Sequence, residues 1–200
     1  MNQRTEVLPY FPLSVFMFPG EDMPLHIYEP RYRQLINEAR KHGITFAIPF
    51  IIGKEIQEFG CEVRLKEVIA EKEEGNMVVV VESVAIVEIF SYNKRMEGKL
   101  YAGGIVNRIA CDDPIVSSEL MDLISLYREQ FDRGFLSKQE NEMITRKDLI
   151  IALNLSSEEK YRFICMPDAE QKEGFLAGQL RYLSMIREQE TLLGDDFGLN

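Results

Sequence analysis

Proline is distributed unevenly along this chain, and that constrains its fold more than any other feature. Pro9, Pro12, Pro19, Pro24, Pro30, Pro49 and Pro114 all precede residue 115, and only Pro167 follows. Proline has no amide hydrogen and a fixed φ. It therefore breaks helix interiors and central strands but suits turns, strand edges and the first turn of a helix. The first half is thereby confined to short segments, and the second is free to form longer helices. The apolar pattern changes at the same place. Before Asp112-Asp113-Pro114 it reads as strands, and after Ser117 it takes the helical period.

Within the first half, residues 7–18 suit an edge strand or a strand beginning after Pro12. Pro19-Gly20-Glu21-Asp22 is a turn signal, and residues 24–28 suit a short strand. Pro30 fits the first position of a helix whose apolar face is Tyr32, Leu35, Ile36 and Ala39, with Gly43 as its stop. Strand character returns over residues 44–52. Residues 61–71 and 77–90 flank a polar turn and read as a hairpin. A last strand spans residues 100–109, where Gly103-Gly104 suggests a bulge or a close backbone approach.

In the second half, Leu120, Leu123, Ile124, Tyr127 and Phe131 form one helical face. Helix starts are marked by Ser137 with Glu140, Ser156 with Glu159, and Asp168 with Gln171. The last helix carries Phe175, Leu176, Leu180, Leu183 and Ile186, and residues 194–200 read as a frayed tail. The expected organisation is α+β, with a β-rich unit over residues 1–112 and a helical unit over 113–200.

Charge narrows the functional classes. The net formal charge is −10. Residues 1–100 carry 12 basic and 15 acidic side chains, and residues 101–200 carry 11 and 18. No basic stripe offers phosphate a favourable field, so neither nucleic acid nor an anionic membrane surface is an expected partner. Residues 46–52 form the longest apolar run, far below the roughly 20 needed to span a bilayer. The prolines and Glu6 spoil any signal-peptide pattern near the start. Cys61, Cys111 and Cys165 are odd in number and lack a CxxC, the pattern of reduced thiols in a cytoplasmic protein.

The usual catalytic patterns are missing. No G-x-x-x-x-G-K-[ST], G-x-S-x-G or G-x-G-x-x-G occurs, so no cofactor is expected. His26 and His42 are the only histidines and lack metal-ligand spacing. The acid pairs Asp112-Asp113, Asp195-Asp196 and Glu73-Glu74 sit in turns or at the tail. Catalytic carboxylates instead face one cleft from separate backbone origins. Ser-x-x-Lys, a spacing that places an amine near a hydroxyl on a helix, occurs at Ser91/Lys94 and Ser157/Lys160. Ten serines and ten lysines make about 0.5 such pairs by chance, so a hydrolase reading rests on little. Capping accounts for Ser157 more simply.

One stretch carries more information. Leu8-Pro9-Tyr10-Phe11-Pro12-Leu13 is followed by Val15-Phe16-Met17-Phe18-Pro19-Gly20 and then Pro24-Leu25-His26-Ile27-Tyr28-Glu29-Pro30-Arg31-Tyr32. This resembles the Lon protease N-terminal (substrate-binding) domain family, with its Phe-Pro-Leu, Phe-Pro-Gly and Pro-Leu-His-Ile-Phe-Glu-Pro-Arg-Tyr progression. Phe59-Gly60-Cys61-Glu62-Val63 is a weaker correspondence, and residues 155–160 a further one. Where the family usually has Gly and then Arg-Phe, this chain has Ser83 and Ile86-Val87.

The resemblance implies a PUA-like pseudo-barrel of twisted strands with one embedded helix, followed by a helical bundle. It also implies binding of unfolded or tagged polypeptide without catalysis, since the ATPase and Ser-Lys protease domains of Lon have no counterpart in these residues. Candidate contact residues are Phe16, Phe18, Met23 and Tyr28, read as an apolar groove beside Gly20. Pro19, Gly20, Pro24, His26, Glu29, Pro30 and Arg31 have structural roles at turn and cap positions. Glu29 suits the positive end of the helix, and Arg31 or Arg33 can pair with it. The alternative is an adaptor that docks a protein partner through the acidic helical half.

Overall fold

In the computed structural model, residues 5–72, 75–136 and 143–197 are described, those from 191 onward by backbone alone. Contacts divide the chain into two compact units. One contains residues 1–110 and 156–161, the other residues 111–155 and 162–200. The helical half thus returns six residues to the β-rich unit.

The first unit contains β1 (Thr5–Tyr10), β2 (Asp22–Ile27), α1 (Pro30–His42), β3 (Phe46–Ile52), β4 (Glu55–Glu71), β5 (Met77–Ile89) and β6 (Ala102–Ile109). The strand order is β2-β5-β4-β3-β1-β6, and β6 pairs again with β5. Strands β1, β3, β4, β5 and β6 therefore close into a five-stranded barrel. It is mixed because β1 and β3 run parallel. Length permits the closure: residues 77–82 of β5 pair with β2, and residues 86–89 pair with β6. Three register shifts between β4 and β5 add the twist that a closed ring needs. The α+β barrel expected from the sequence is observed.

The first strand differs from expectation. It is neither an edge strand, since it lies between β3 and β6, nor a strand starting after Pro12: it ends at Tyr10 and contains Pro9. Phe11 donates its N–H to the Ala47 carbonyl of β3 at 2.9 Å. Pro9, two residues earlier, faces the same side, where pairing with β3 has not begun, since Tyr10–Ala47 is the registered pair. Its missing hydrogen therefore costs no ladder bond. Strand β4 also starts earlier than expected. Gly53-Lys54 forms the turn of a β3–β4 hairpin.

Helix α1 forms as its sequence dictates. Pro30 opens it, Gly43 closes it in the left-handed conformation, and Tyr32, Leu35, Ile36 and Ala39 are buried. They pack with Leu25, Ile27, Val63, Val79 and Val81 in the larger apolar cluster. Burying one such aliphatic side chain stabilises by about 1.5–3 kcal/mol. A smaller cluster on the opposite strand face holds Leu8, Tyr10, Ala47, Val87, Ala102 and Val106. On that face Arg108 grips the fully buried Glu62 with two hydrogen bonds, 2.5 and 2.7 Å, so the buried carboxylate has a matching charge. Gly104 is a close approach: a Cβ there would collide with the Ser91 carbonyl and the Tyr10 hydroxyl.

The second unit is built on α2 (Ser118–Gln130), α3 (Arg146–Ala152) and α5 (Ala169–Phe197). α4 (Ser157–Ile164) has its first turns counted with the barrel. Leu120, Ile124 and Tyr127 form the buried face of α2. Ser156 and Glu159 make the expected reciprocal cap, and Gln171 N–H donates to Asp168. Thr145 and Asp148 form another reciprocal cap that the sequence reading did not single out. The Ser137/Glu140 pair lies outside the described residues. Helix α5 continues to Phe197, into the stretch expected to fray. Glu173 is buried in this unit. It accepts from the Val116 and Ser117 N–H groups and lies 3.5 Å from Arg146.

Candidate functional site

The family-like segment becomes a turn, a terminal strand and a helix start, all within the barrel unit. Pro19-Gly20 makes the turn. Gly20 has φ +97, a left-handed value that disfavours other residues, and its N–H donates to the Ser83 carbonyl at 2.8 Å. Ser83, a departure from the family pattern, is thereby buried at the junction of β2 and β5. The segment then enters β2. Leu25 and Ile27 turn into the core, while Asp22, Pro24 and His26 face outward. Across the sheet His26 registers with Val78, and Val78 with Ala70. His26, Tyr28, Ala70, Lys72, Met77 and Val78 line a pocket of about 290 Å³ on that outer surface. At the other end of the same surface the side chains are charged and paired, Lys66 with Asp22 at 2.5 Å and Arg64 with Glu82 at 2.8 Å.

The helix start adds an aromatic cluster. Glu29 is the N-cap residue of α1 and makes no side-chain cap bond. Its carboxylate instead accepts from Arg31 Nε at 2.8 Å. The Arg31 guanidinium lies 4.5 Å from the centre of the Tyr32 ring, a cation–π contact. Tyr32 stacks on Phe11 at 3.9 Å, and Tyr92 stacks on Tyr10 at 6.0 Å. Burial raises the Tyr32 hydroxyl above its ordinary value, an effect that the Arg31 charge partly offsets. Tyr28 is 68% exposed, and Tyr92 is exposed as well. The sequence reading missed Tyr92, which lies outside the motif. Its signal would have been an aromatic residue in the polar connection between β5 and β6.

The four candidate contact residues separate. Phe16 and Phe18 are 1% and 0% exposed, so they do not wall an open groove. They meet edge to face at 6.2 Å, and Phe16 packs on Phe50 at 5.8 Å and on Tyr161 at 5.7 Å. For Phe16 the physical reason is the returning segment 156–161, and Phe18 packs against Phe16. Tyr161 also lies 4.9 Å from Phe50 and 6.4 Å from Phe59, and Lys160 Nζ donates to Glu21 at 2.5 Å. Met23 is half-buried against the larger cluster. Tyr28 remains the exposed member.

That contact also bears on the Ser-x-x-Lys pairs. The Lys160 ammonium is ion-paired with Glu21, and a general base must be neutral. The Ser91 hydroxyl accepts the Ile105 N–H at 2.9 Å, and Lys94 is exposed. Burial pushes the Cys61 thiol up to about 12 and the Cys111 thiol to about 11, away from the thiolate. Among the described residues no group of three or more His, Cys, Asp or Glu side chains is arranged to hold a metal ion. Among them, too, no helix is long and apolar enough to cross a membrane.

Residues 7–173 match the family model of the ATP-dependent protease La (LON) substrate-binding domain. The fold resembles the crystal structure of a Lon N-terminal domain protein from Xanthomonas campestris. Its TM-score is 0.65 at 19% identity, covering 86% of this chain and 98% of that one. It also resembles the N-terminal domain of a Mycobacterium avium complex Lon protease. There the TM-score is 0.60 at 11% identity, covering 88% and 98%. No curated protein sequence matches the chain.

Proposed function

Because the chain belongs to the family of ATP-dependent protease La (LON) substrate-binding domains, we propose that it is a non-catalytic module that binds unfolded or tagged polypeptide in the cytoplasm. The family match over residues 7–173 carries this reading. The surface that supports it is the exposed end of the motif, with Tyr28 beside the outer pocket and Tyr92 beside Tyr10. Tyrosines offer large apolar contact at low entropic cost together with a hydroxyl, which suits varied polypeptide sequences. Met23 packs inward with Leu25 and Ile27, and Phe16 and Phe18 are buried, so none of the three belongs to this surface. Neither nucleic acid nor a membrane is an intended partner.

The test is fluorescence anisotropy of a labelled, permanently unfolded polypeptide titrated with the full chain. Binding that weakens about tenfold in Tyr28→Ser/Tyr92→Ser is expected, because two exposed aromatic anchors of roughly 0.5–1 kcal/mol each are lost. Failure to bind any unfolded polypeptide sinks the reading.

A second reading, an adaptor docking a protein partner through the helical unit, is favoured by one observation. An open groove of about 680 Å³, lined by Val116, Glu119, Glu170, Gly174 and Ala177, lies between α2 and α5. Cutting the chain at residue 112 would not separate the two readings, since it also removes Lys160 and Tyr161 from the barrel unit. Gly174→Arg, at an exposed groove position with open space for a side chain, discriminates: it abolishes partner capture on the second reading and spares polypeptide binding on the first.

A further inference from the structure

The outer edge of β2 is open, and its hydrogen-bonding pattern follows from one contact. Ser83 N–H donates to the Glu21 carbonyl at 2.9 Å. Asp22 faces Glu82 in the next register position. In an antiparallel ladder such a bond flanks a non-bonded pair, so Asp22–Glu82 is non-bonded, and by alternation so are Pro24–Val80 and His26–Val78. The backbone groups of Asp22, Pro24 and His26 therefore point away from β5. Strand β2 ends the strand order, and among the described residues no backbone hydrogen bond reaches those groups. Pro24 occupies one of the positions where a missing N–H costs the β2–β5 ladder nothing.

Resting on the polypeptide-binding reading above, we propose that an extended polypeptide segment adds to β2 as a further strand. Its backbone bonds to Asp22 and His26, and one of its apolar side chains lies in the pocket beside His26 and Tyr28. Three features favour this occupant. The open donors and acceptors belong to the main chain, so they suit any sequence, as a substrate-binding surface requires. A strand residue opposite His26 sends its side chain to the same face of the sheet as His26, the face that carries the pocket. At about 290 Å³ the pocket is near the lower limit for small-molecule sites and has room for a side chain or two. Pro24 argues against a second copy of the chain. Antiparallel self-pairing centred on this strand would bring two prolines together and lose a donor from each.

The test combines amide hydrogen exchange of the full chain with anisotropy of a labelled, reduced and S-carbamidomethylated polypeptide at 0.15 M salt or above. On binding, the Asp22 and His26 amides gain protection, while Met23, Leu25 and Ile27, already bonded to β5, change little. His26→Pro removes one outward N–H at a position that tolerates proline. His26→Ala removes the side chain alone. The proline variant is expected to bind about fivefold more weakly than the alanine variant, the effect of one lost hydrogen bond. Exchange in the unmodified chain keeps the test valid if the proline variant misfolds. Binding with protection elsewhere and equal affinities overturns strand addition while leaving the polypeptide-binding reading standing. No binding at all overturns both. Protection of the same amides that rises with protein concentration, without the probe, assigns the edge to a second copy and overturns the proposed occupant.

Discussion

Replacing Lys160 by Met tests how firmly residues 156–161 belong to the barrel. The Lys160 and Glu21 side chains are 8% and 19% exposed, and their charged atoms lie 2.5 Å apart. The two residues are 139 apart in sequence. Methionine keeps most of the aliphatic stem, so the change isolates the charge. Removing one partner of a fully buried pair costs about 3–5 kcal/mol. Here Glu21 keeps the Phe18 N–H at 2.7 Å and some contact with water. These lower the expected cost to about 2–3 kcal/mol. With a urea slope of roughly 1.3 kcal/mol/M for a unit of this size, the midpoint falls by about 1.5–2.5 M. Two units make one global transition unsafe, so exchange of β5 and α4 amides should be followed alongside circular dichroism. Adding Glu21→Gln should restore much of the loss, because the amide still accepts from Phe18 and leaves no buried charge. A midpoint shift below about 0.4 M, with no coupling between the two substitutions, would refute the reasoning and mean that the pair is effectively solvated.

Three other predictions follow from local environments. Burial alone would raise the Glu38 carboxyl, but hydrogen bonds from Lys99, Tyr101 and Gln34 and the Lys99 charge hold it below its ordinary value. Its contribution is therefore present above the unfolded value of about 4.5 and is lost as pH falls through the lower folded value. Urea midpoints between pH 3 and 6 should decline less steeply in Glu38→Gln than in the unmodified chain. With a thiol reagent at pH 8, the exposed Cys165 should react first and Cys111 slowly. Cys61, fully buried and pushed up to about 12, should react only on unfolding, as mass spectrometry of the labelled peptides would reveal. Gly104→Ala should cost about 1–3 kcal/mol by thermal melting, because the new methyl meets the backbone carbonyl of Ser91, which cannot move aside as a side-chain tip can.

What was legible in the sequence is local. Gly43, the Ser156/Glu159 cap and the Asp168/Gln171 start each depend on residues within one turn, and each forms as expected. The Gly103-Gly104 signal suggests a bulge or a close backbone approach; the fold decides for the approach and identifies Ser91, Tyr10 and Met96 as what approaches. Residues 7–18 form neither the edge strand nor the strand after Pro12 that the prolines suggest, because proline is tolerated in β1 according to which neighbour has begun to pair. No local rule contains that information.

By itself, then, the sequence determined the α+β class, the helix α1 with its proline start and glycine stop, and the family motif. These follow from backbone chemistry and short-range periodicity. Tertiary structure alone decided which motif residues reach solvent. Phe16 and Phe18 carry the same apolar signal as Tyr28, yet Tyr161 returns from later in the sequence to cover Phe16, and Phe18 packs edge to face on Phe16, while Tyr28 stays exposed. Tertiary structure also decided that β5 is shared between β2 and β6, which closes the barrel and leaves the β2 edge open. Both outcomes depend on contacts between residues distant in the chain, where burial is settled by competition among all the apolar surface present.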